Sequence, residues 1–356
     1  MQQQNKNSEF EGFCYSGERF ADLQMLRYRL NGFESLSLRQ KLYVYYLSKA
    51  TLAGRDITTD QFGFYNLDIR KVLEAVYVNY QGNKECEDFI AMTIYLKRIW
   101  FSNGIYHHYG SEKFAPEFSP AFLLDAMKSI EPSLLPLAKG ETVDGLFDRL
   151  KSAIFDHSFL PKKVNKADGC DLVATSACNF YHNVSQHEVE DYYSSLKATV
   201  EKNPPSFGLN SRLVKQNGEL IEQVWKIDGM YSKAIEIIVS YLRQAAEYAE
   251  NEQQQKIISL LISYYQTGDL RVFDKYSIEW LKEQDGRIDF INGFIEVYND
   301  PLGVKASWEG IVEYKDLVAT RRTRTISDNA QWFEDNSPVD SRFKKKIVKG
   351  VTANVV

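Results

Sequence analysis

Five histidines and four cysteines are the side chains of this 356-residue chain best suited to metal or nucleophilic chemistry, and their spacing organises neither. A catalytic zinc site takes three protein ligands, commonly at helical spacing such as H-E-x-x-H, and no such motif is present. The nearest pair is His182 and His187. Five residues apart, they fall on different faces of a helix, with a predicted cap at Ser185 between them, so they read as surface histidines. His107 and His108 follow Asn103-Gly104 among Trp100, Phe101, Tyr106 and Tyr109, and read as a packed turn ahead of a metal or substrate site. His157 stands alone. Cys14, Cys86, Cys170 and Cys178 form no C-x-x-C pair and are too few for a disulfide scaffold. Cys178 has His182 four residues on, but nothing marks it as an activated thiolate. Neither G-x-S-x-G, a P-loop nor G-x-G-x-x-G appears. The residues alone therefore show no complete active site.

The densest set of chemically useful side chains lies in DFINGFIEVYNDPLGVKASWEGIVEYKD, from Asp289 to Asp316. It gathers Glu296, Tyr298, Asp300, Glu309 and Glu313 around a Pro301-Leu302-Gly303 turn. A carboxylate beside a tyrosine on a turn suits a ligand ammonium, through a charge-assisted hydrogen bond. The competing reading is a solvated loop with acids flanking strands, and composition alone favours it.

The elements that position this segment follow from periodicity and caps. The chain to about Leu160 reads as helical. Ser37-Leu38-Arg39-Gln40 has the S-x-x-Q form of a capping box, followed by Leu38, Leu42, Tyr45 and Tyr46 at helical spacing. A second run, Phe89 to Phe101, stops at Asn103-Gly104. Pro161 to Ala167, with Lys162, Lys163 and Lys166, reads as a polar loop. Ser185-Gln186-His187-Glu188 is a second capping box, and Pro204-Pro205 closes its helix. Leu209 to Gln216 and Glu219 to Ile227 flank Asn217-Gly218, the signature of a tight hairpin. Helices are expected with Tyr231, Ala234, Ile235, Ile238, Tyr241, Leu242, Ala245 and Ala249 on one face, from Glu252 to Gln266 with a stop at Gly268, and through Leu270, Phe273, Tyr276 and Trp280. Strands are expected at Gly310 to Tyr314 and Ile347 to Val356. These readings give an α+β fold, predominantly helical, with residues 1–160 as a helical N-terminal region and 161–356 as a mixed helix and β region. The final segment, with Val351, Val355 and Val356, reads as a strand without its partners. A longer natural chain is the expectation, and so is association through that unpaired edge.

Composition narrows the function classes. With 43 Lys+Arg against 48 Asp+Glu the formal net charge is −5, and the basic runs Arg321, Arg322, Arg324 and Lys344 to Lys346 are too short to track a phosphate backbone. Nucleic acid is not an expected partner. No window approaches the roughly 18 apolar residues of a membrane span. Met1 to Glu9 is polar and lacks the apolar stretch of a signal peptide, so a cytoplasmic location, or a leader already removed, is expected.

The Asp289–Asp316 segment resembles the dipeptidyl peptidase III family, zinc-dependent exopeptidases that release dipeptides from peptide N-termini. So do FSNGIYHHYGSEKFAP (Phe101 to Pro116), FGLNSRLVK (Phe207 to Lys215), VWKIDGMY (Val224 to Tyr231), YYQTGDL (Tyr264 to Leu270) and NAQWFEDNSPVD (Asn329 to Asp340), all in the form of the bacterial branch. The resemblance covers essentially the whole chain. It implies a mainly helical lobe with a small β-barrel or sheet formed by the C-terminal part. Glu296 and Tyr298 match the family's E-x-Y before its D-P-x-G turn. The resemblance thus implies that Glu296 binds the substrate's N-terminal ammonium, that Tyr298 is catalytic and hydrogen-bonds the peptide near the scissile bond, and that Glu309 lines the amine subsite. Its partners are short peptides with a free N-terminus. The family's H-E-x-x-G-H motif, its downstream glutamate ligand and the asparagines of I-N-[IL]-P-N are not in this sequence. The expectation is therefore an N-terminal portion of the enzyme, inactive alone, with zinc in the full-length family and none bound to this chain. A stand-alone, non-catalytic peptide-binding or structural helical domain is the alternative.

Overall fold

The computed structural model describes residues 12–200, 202–349 and 355–356. Among them the helices are α1 Leu38–Ala53, α2 Arg55–Gln61, α3 Asn66–Asn79, α4 Glu87–Ser102, α5 Pro120–Lys128, α6 Val143–Phe155, α7 Gln186–Ala198, α8 Ser232–Tyr248, α9 Glu252–Thr267, α10 Leu270–Lys282, α11 Leu317–Asp328 and α12 Ala330–Asn336. The strands are β1 Ser16–Phe20, β2 Leu23–Leu26, β3 Tyr181–His182, β4 Ser211–Gln216, β5 Glu219–Val224, β6 Ile288–Glu296 and β7 Ser307–Tyr314. The fold class is α+β, mainly helical, as expected. Its strands form three small sheets, β1-β2, β3-β4-β5 and β6-β7, and none of these closes into a barrel. The β1-β2 hairpin lies in a stretch that patterning gave as helical. No helix of the described residues is long and apolar enough to cross a membrane.

The chain divides into two compact units. One comprises Thr59–Asn179 with the described part of Met1–Glu34. Its core is the joint apolar face of four helices: Ile69, Val72, Leu73 and Val76 of α3, Phe89, Met92, Leu96 and Ile99 of α4, Leu123 and Met127 of α5, and Leu146, Leu150 and Ile154 of α6. Full burial of each such side chain contributes roughly 1.5–3 kcal/mol. Asn103 adopts the left-handed conformation that ends α4, as Asn103-Gly104 signalled. His107 and His108 stack with ring centroids 4.4 Å apart, and His107 Nδ1 accepts from the Tyr109 and Gly110 amides. Pro161 to Ala167 is irregular, as expected, but Lys163 within it does not face solvent. It is buried, with its ammonium 4.3 Å from the Phe62 ring centre, and burial draws its pKa down to about 8.

The other unit comprises Ser35–Thr58 with the described part of Phe180–Val356. Both capping boxes form here, Ser37 with Gln40 at α1 and Ser185 with Glu188 at α7. The buried face of α1 is Tyr43, Leu47 and Ala50, whereas Leu38 and Tyr45 are exposed. α1 packs on α8, which buries Ile235, Ile238, Val239, Leu242 and Ala245; α9 packs on α8 and α10 on α9. The β6-β7 hairpin lies across α1. Its start is held by α9: buried Gln254 donates to the Ile288 carbonyl (3.0 Å), and Glu250 accepts from the Ile288 amide (2.8 Å). Deeper in, Trp308 Nε1 donates to Tyr265 Oη (3.2 Å), which donates to Asn292 Oδ1 (2.6 Å). The β4-β5 hairpin turns at Asn217-Gly218, both at positive φ, and runs in register from Ser211–Val224 to Gln216–Glu219.

The strand expected at Ile347 to Val356 is not found among the described residues there. Ile347 to Lys349 and Val355 to Val356 are irregular, while Val351 lies outside the described residues. Val355 has both backbone groups engaged, its carbonyl accepting from the Asp316 amide (2.7 Å) and its amide donating to Thr320 Oγ1 (3.0 Å). Val355 is thus held at the start of α11.

Candidate functional site: an acidic turn between β6 and β7

The antiparallel register of β6 and β7 sets Gly293 opposite Glu309 and Phe294 opposite Trp308, then skips a residue so that Glu296 stands opposite Ser307. That bulge decides where Glu296 points. Facing residues share a side of the sheet, and Ser307 and Glu309, two apart, share one side as well. In a regular ladder Glu296 would oppose Ala306, on the face that buries Trp308 and Phe294. The extra residue turns Glu296 to the side of Glu309.

The two carboxylates feel each other. Glu309 titrates above the usual carboxylate range, first because it is half-buried and then because of the Glu296 charge. Tyr298 is 73% exposed. Its pKa is raised, first by the charge of the nearby Glu296 and less by Glu309. The structure thus brings Glu296, Tyr298 and Glu309 together on one hairpin. Two acids held within each other's field, one of them partly desolvated, make a site that gains from a cation.

The other acids of the segment lie elsewhere. Glu313 stands opposite Asp289, and burial followed by that neighbour raises its pKa. Asp300 is buried and serves the turn itself: its Oδ2 accepts from the Val304 amide (2.7 Å), the Lys305 amide (2.8 Å) and Tyr181 Oη (2.8 Å), and its Oδ1 from the Leu302 amide (3.2 Å). Asn299 Nδ2 donates to Ser307 Oγ across the same turn (2.9 Å). Sequence reasoning missed Lys305, whose side chain is fully buried beneath the turn. The only available signal was its place five residues after Asp300, which by itself reads as a solvated lysine.

As a zinc site the hairpin does not qualify. Glu296 and Glu309 offer two carboxylates with no third acid, histidine or thiolate beside them, against the three ligands a catalytic zinc takes. Among the described residues no group of three or more His, Cys, Asp or Glu is arranged to hold a metal. His187 pairs instead with Asp191 at 3.4 Å on the exposed face of α7.

The model of peptidase family M49 matches residues 174–350, which include the β4-β5 and β6-β7 hairpins and the acidic turn. Dipeptidyl peptidase 3 of Dictyostelium discoideum is 23% identical over 344 residues, 90% of this chain and 48% of that protein. Dipeptidyl peptidase 3 of Homo sapiens is 21% identical over 353 residues, 88% of this chain and 46% of that protein. The chain therefore spans about half the length of these curated relatives. The solved structure of DPP III from Caldithrix abyssi superposes with a TM-score of 0.59 at 18% identity, covering 88% of this chain and 47% of that one. The family match across the acidic turn and the relatives along almost all of the sequence agree: the chain is similar to the dipeptidyl peptidase III family, peptidase family M49, and shares the fold of its solved members.

Proposed function

We propose that this chain grips the free amino terminus of a short peptide for a zinc-dependent dipeptidyl peptidase. Glu296 and Glu309 receive the ammonium, and the Tyr298 hydroxyl hydrogen-bonds the peptide near the scissile bond. The observation that carries the reading is the placing of Glu296 on the side of Glu309 by the β6 bulge, with Tyr298 within the field of both. An enzyme that counts residues from a free N-terminus needs an anion at a fixed distance from the bond it cuts. A hairpin anchored at its base by Gln254 and Glu250 offers such a fixed point. The reading assigns substrate positioning to these residues and routes no step through zinc, because this chain's described residues offer no place for the metal.

The test is a calorimetric titration of the chain with tetra-alanine, once with a free N-terminus and once N-acetylated. The free peptide should bind more tightly by about tenfold or more, the value of one charge-assisted hydrogen bond. Equal affinity for both would refute the amine site. Absence of binding to either would favour a structural helical domain.

A further inference from the structure

The acidic turn is anchored from below by an ammonium that meets no carboxylate directly. Lys305 Nζ donates to Tyr193 Oη (2.6 Å), the Gly208 carbonyl (3.2 Å) and Ser211 Oγ (3.3 Å). Tyr193 and Ser211 each donate onward to the same oxygen of Glu222, at 2.7 and 2.6 Å. The charge is thus matched at one remove, through two hydroxyls on α7 and β4, by a carboxylate on β5. The rings of Tyr193 and Tyr181 flank the ammonium at 4.7 and 5.4 Å. Burial draws the Lys305 pKa down to about 8 against the pull of Glu222 and Asp300. One residue on, the Ala306 amide donates to the Leu209 carbonyl (2.9 Å).

Stability alone does not account for this arrangement. A buried ionic network is often no more stabilising than apolar side chains of similar volume, and its best-attested use is to fix one register among several. The register at stake here is that of the bulge. Lys305 sits two residues before Ser307, the partner of Glu296. A slip of one residue in the turn would abolish the bulge and send Glu296 to the face that buries Trp308. We propose that Lys305, through Tyr193, Ser211 and Glu222, is a positioning residue that holds the β6-β7 turn in the register presenting Glu296 beside Glu309. The inference rests on the amine-binding reading given above.

The experiment compares the wild-type chain with Lys305→Met, Tyr193→Phe and Glu296→Gln. Each is titrated with free and N-acetylated tetra-alanine, well below its own melting temperature. A role in stability alone lowers the melting temperature and leaves the free-to-acetylated affinity ratio unchanged. A positioning role collapses that ratio, about tenfold for Lys305→Met and in the same direction for Tyr193→Phe. If Glu296→Gln keeps the wild-type ratio, the amine-binding reading itself fails. If Glu296→Gln collapses the ratio while folded Lys305→Met keeps it, the positioning role is overturned and the amine site stands. Should Lys305→Met not fold, Tyr193→Phe decides by the same criterion.

Discussion

Replacing Asp300 by alanine removes the acceptor on which the turn between β6 and β7 closes. Two of its donors, the Lys305 amide and the Tyr181 hydroxyl, belong to buried residues and would lose this acceptor. At about 1–3 kcal/mol for the buried Lys305 amide and about 1 kcal/mol for the lost Tyr181 bond, Asp300→Ala should cost about 2–4 kcal/mol. The Leu302 and Val304 amides are on half-buried residues and can turn to water, so they add little. Asp300→Asn can keep an oxygen on the three Oδ2 bonds, losing the charge and turning an NH2 toward the Leu302 amide, which can take water instead. The alanine variant should therefore be the more damaged. Trp225 and Trp308 are both buried in the same unit, so the blue edge of tryptophan emission during a urea titration reports this unfolding. With a slope of about 1–3 kcal/mol per molar urea, the alanine midpoint should fall by about 1 M or more. A midpoint within ~0.3 M of wild type would refute the argument. An asparagine variant as unstable as the alanine variant would show that charge, and not the acceptor geometry, holds the turn.

Gly54 follows α1, and a Cβ there would sit 2.3 Å from the Trp308 ring atoms, so Gly54→Ala should lower stability by about 1–3 kcal/mol despite alanine's better backbone propensity, a result a thermal melt would reverse if Trp308 can swing aside. Because Glu309 has a raised pKa in the fold, its stabilising contribution is present below the ordinary glutamate value of 4.5 and is lost as pH rises through the folded value. Glu309→Gln should accordingly melt higher than wild type at neutral pH and converge with it in acid; the opposite trend would place Glu309 in a favourable ionised environment. The Tyr298 phenol, held above 10 mainly by Glu296, should titrate lower in Glu296→Gln by ultraviolet difference absorbance, and an unchanged midpoint would dissolve the contact.

What the sequence made legible was mostly local. The capping boxes at Ser37 and Ser185, the Asn217-Gly218 hairpin and the stops at Asn103 and Gly268 each depend on a few adjacent residues, and each forms. β6 was hidden because both its faces carry apolar residues: Ile288, Phe290 and Phe294 are buried on one, and Ile291 and Ile295 partly so on the other, which erases the period of two. On α1 the expected apolar positions were half right: Tyr46 stacks on Tyr248 of α8, but Leu38 and Tyr45 are exposed while Tyr43, Leu47 and Ala50 are buried. Glu296, Tyr298 and Glu309 were found through family resemblance, whereas the bulge that unites them depends on cross-strand pairing. Lys305 was illegible for a related reason. Its partners Tyr193, Gly208 and Ser211 lie about a hundred residues away, and no local pattern announces a buried ammonium.

The central claim is that the Glu296 carboxylate holds a peptide ammonium. A double cycle tests it most directly, with Glu296→Gln as one change and N-acetylation of tetra-alanine as the other, each affinity measured by calorimetry on the whole chain. If the two groups pair, acetylation costs the wild-type chain about 1.5–3 kcal/mol of binding and costs Glu296→Gln almost nothing, so the changes are strongly non-additive. Additive losses, with acetylation weakening both proteins equally, would contradict the account.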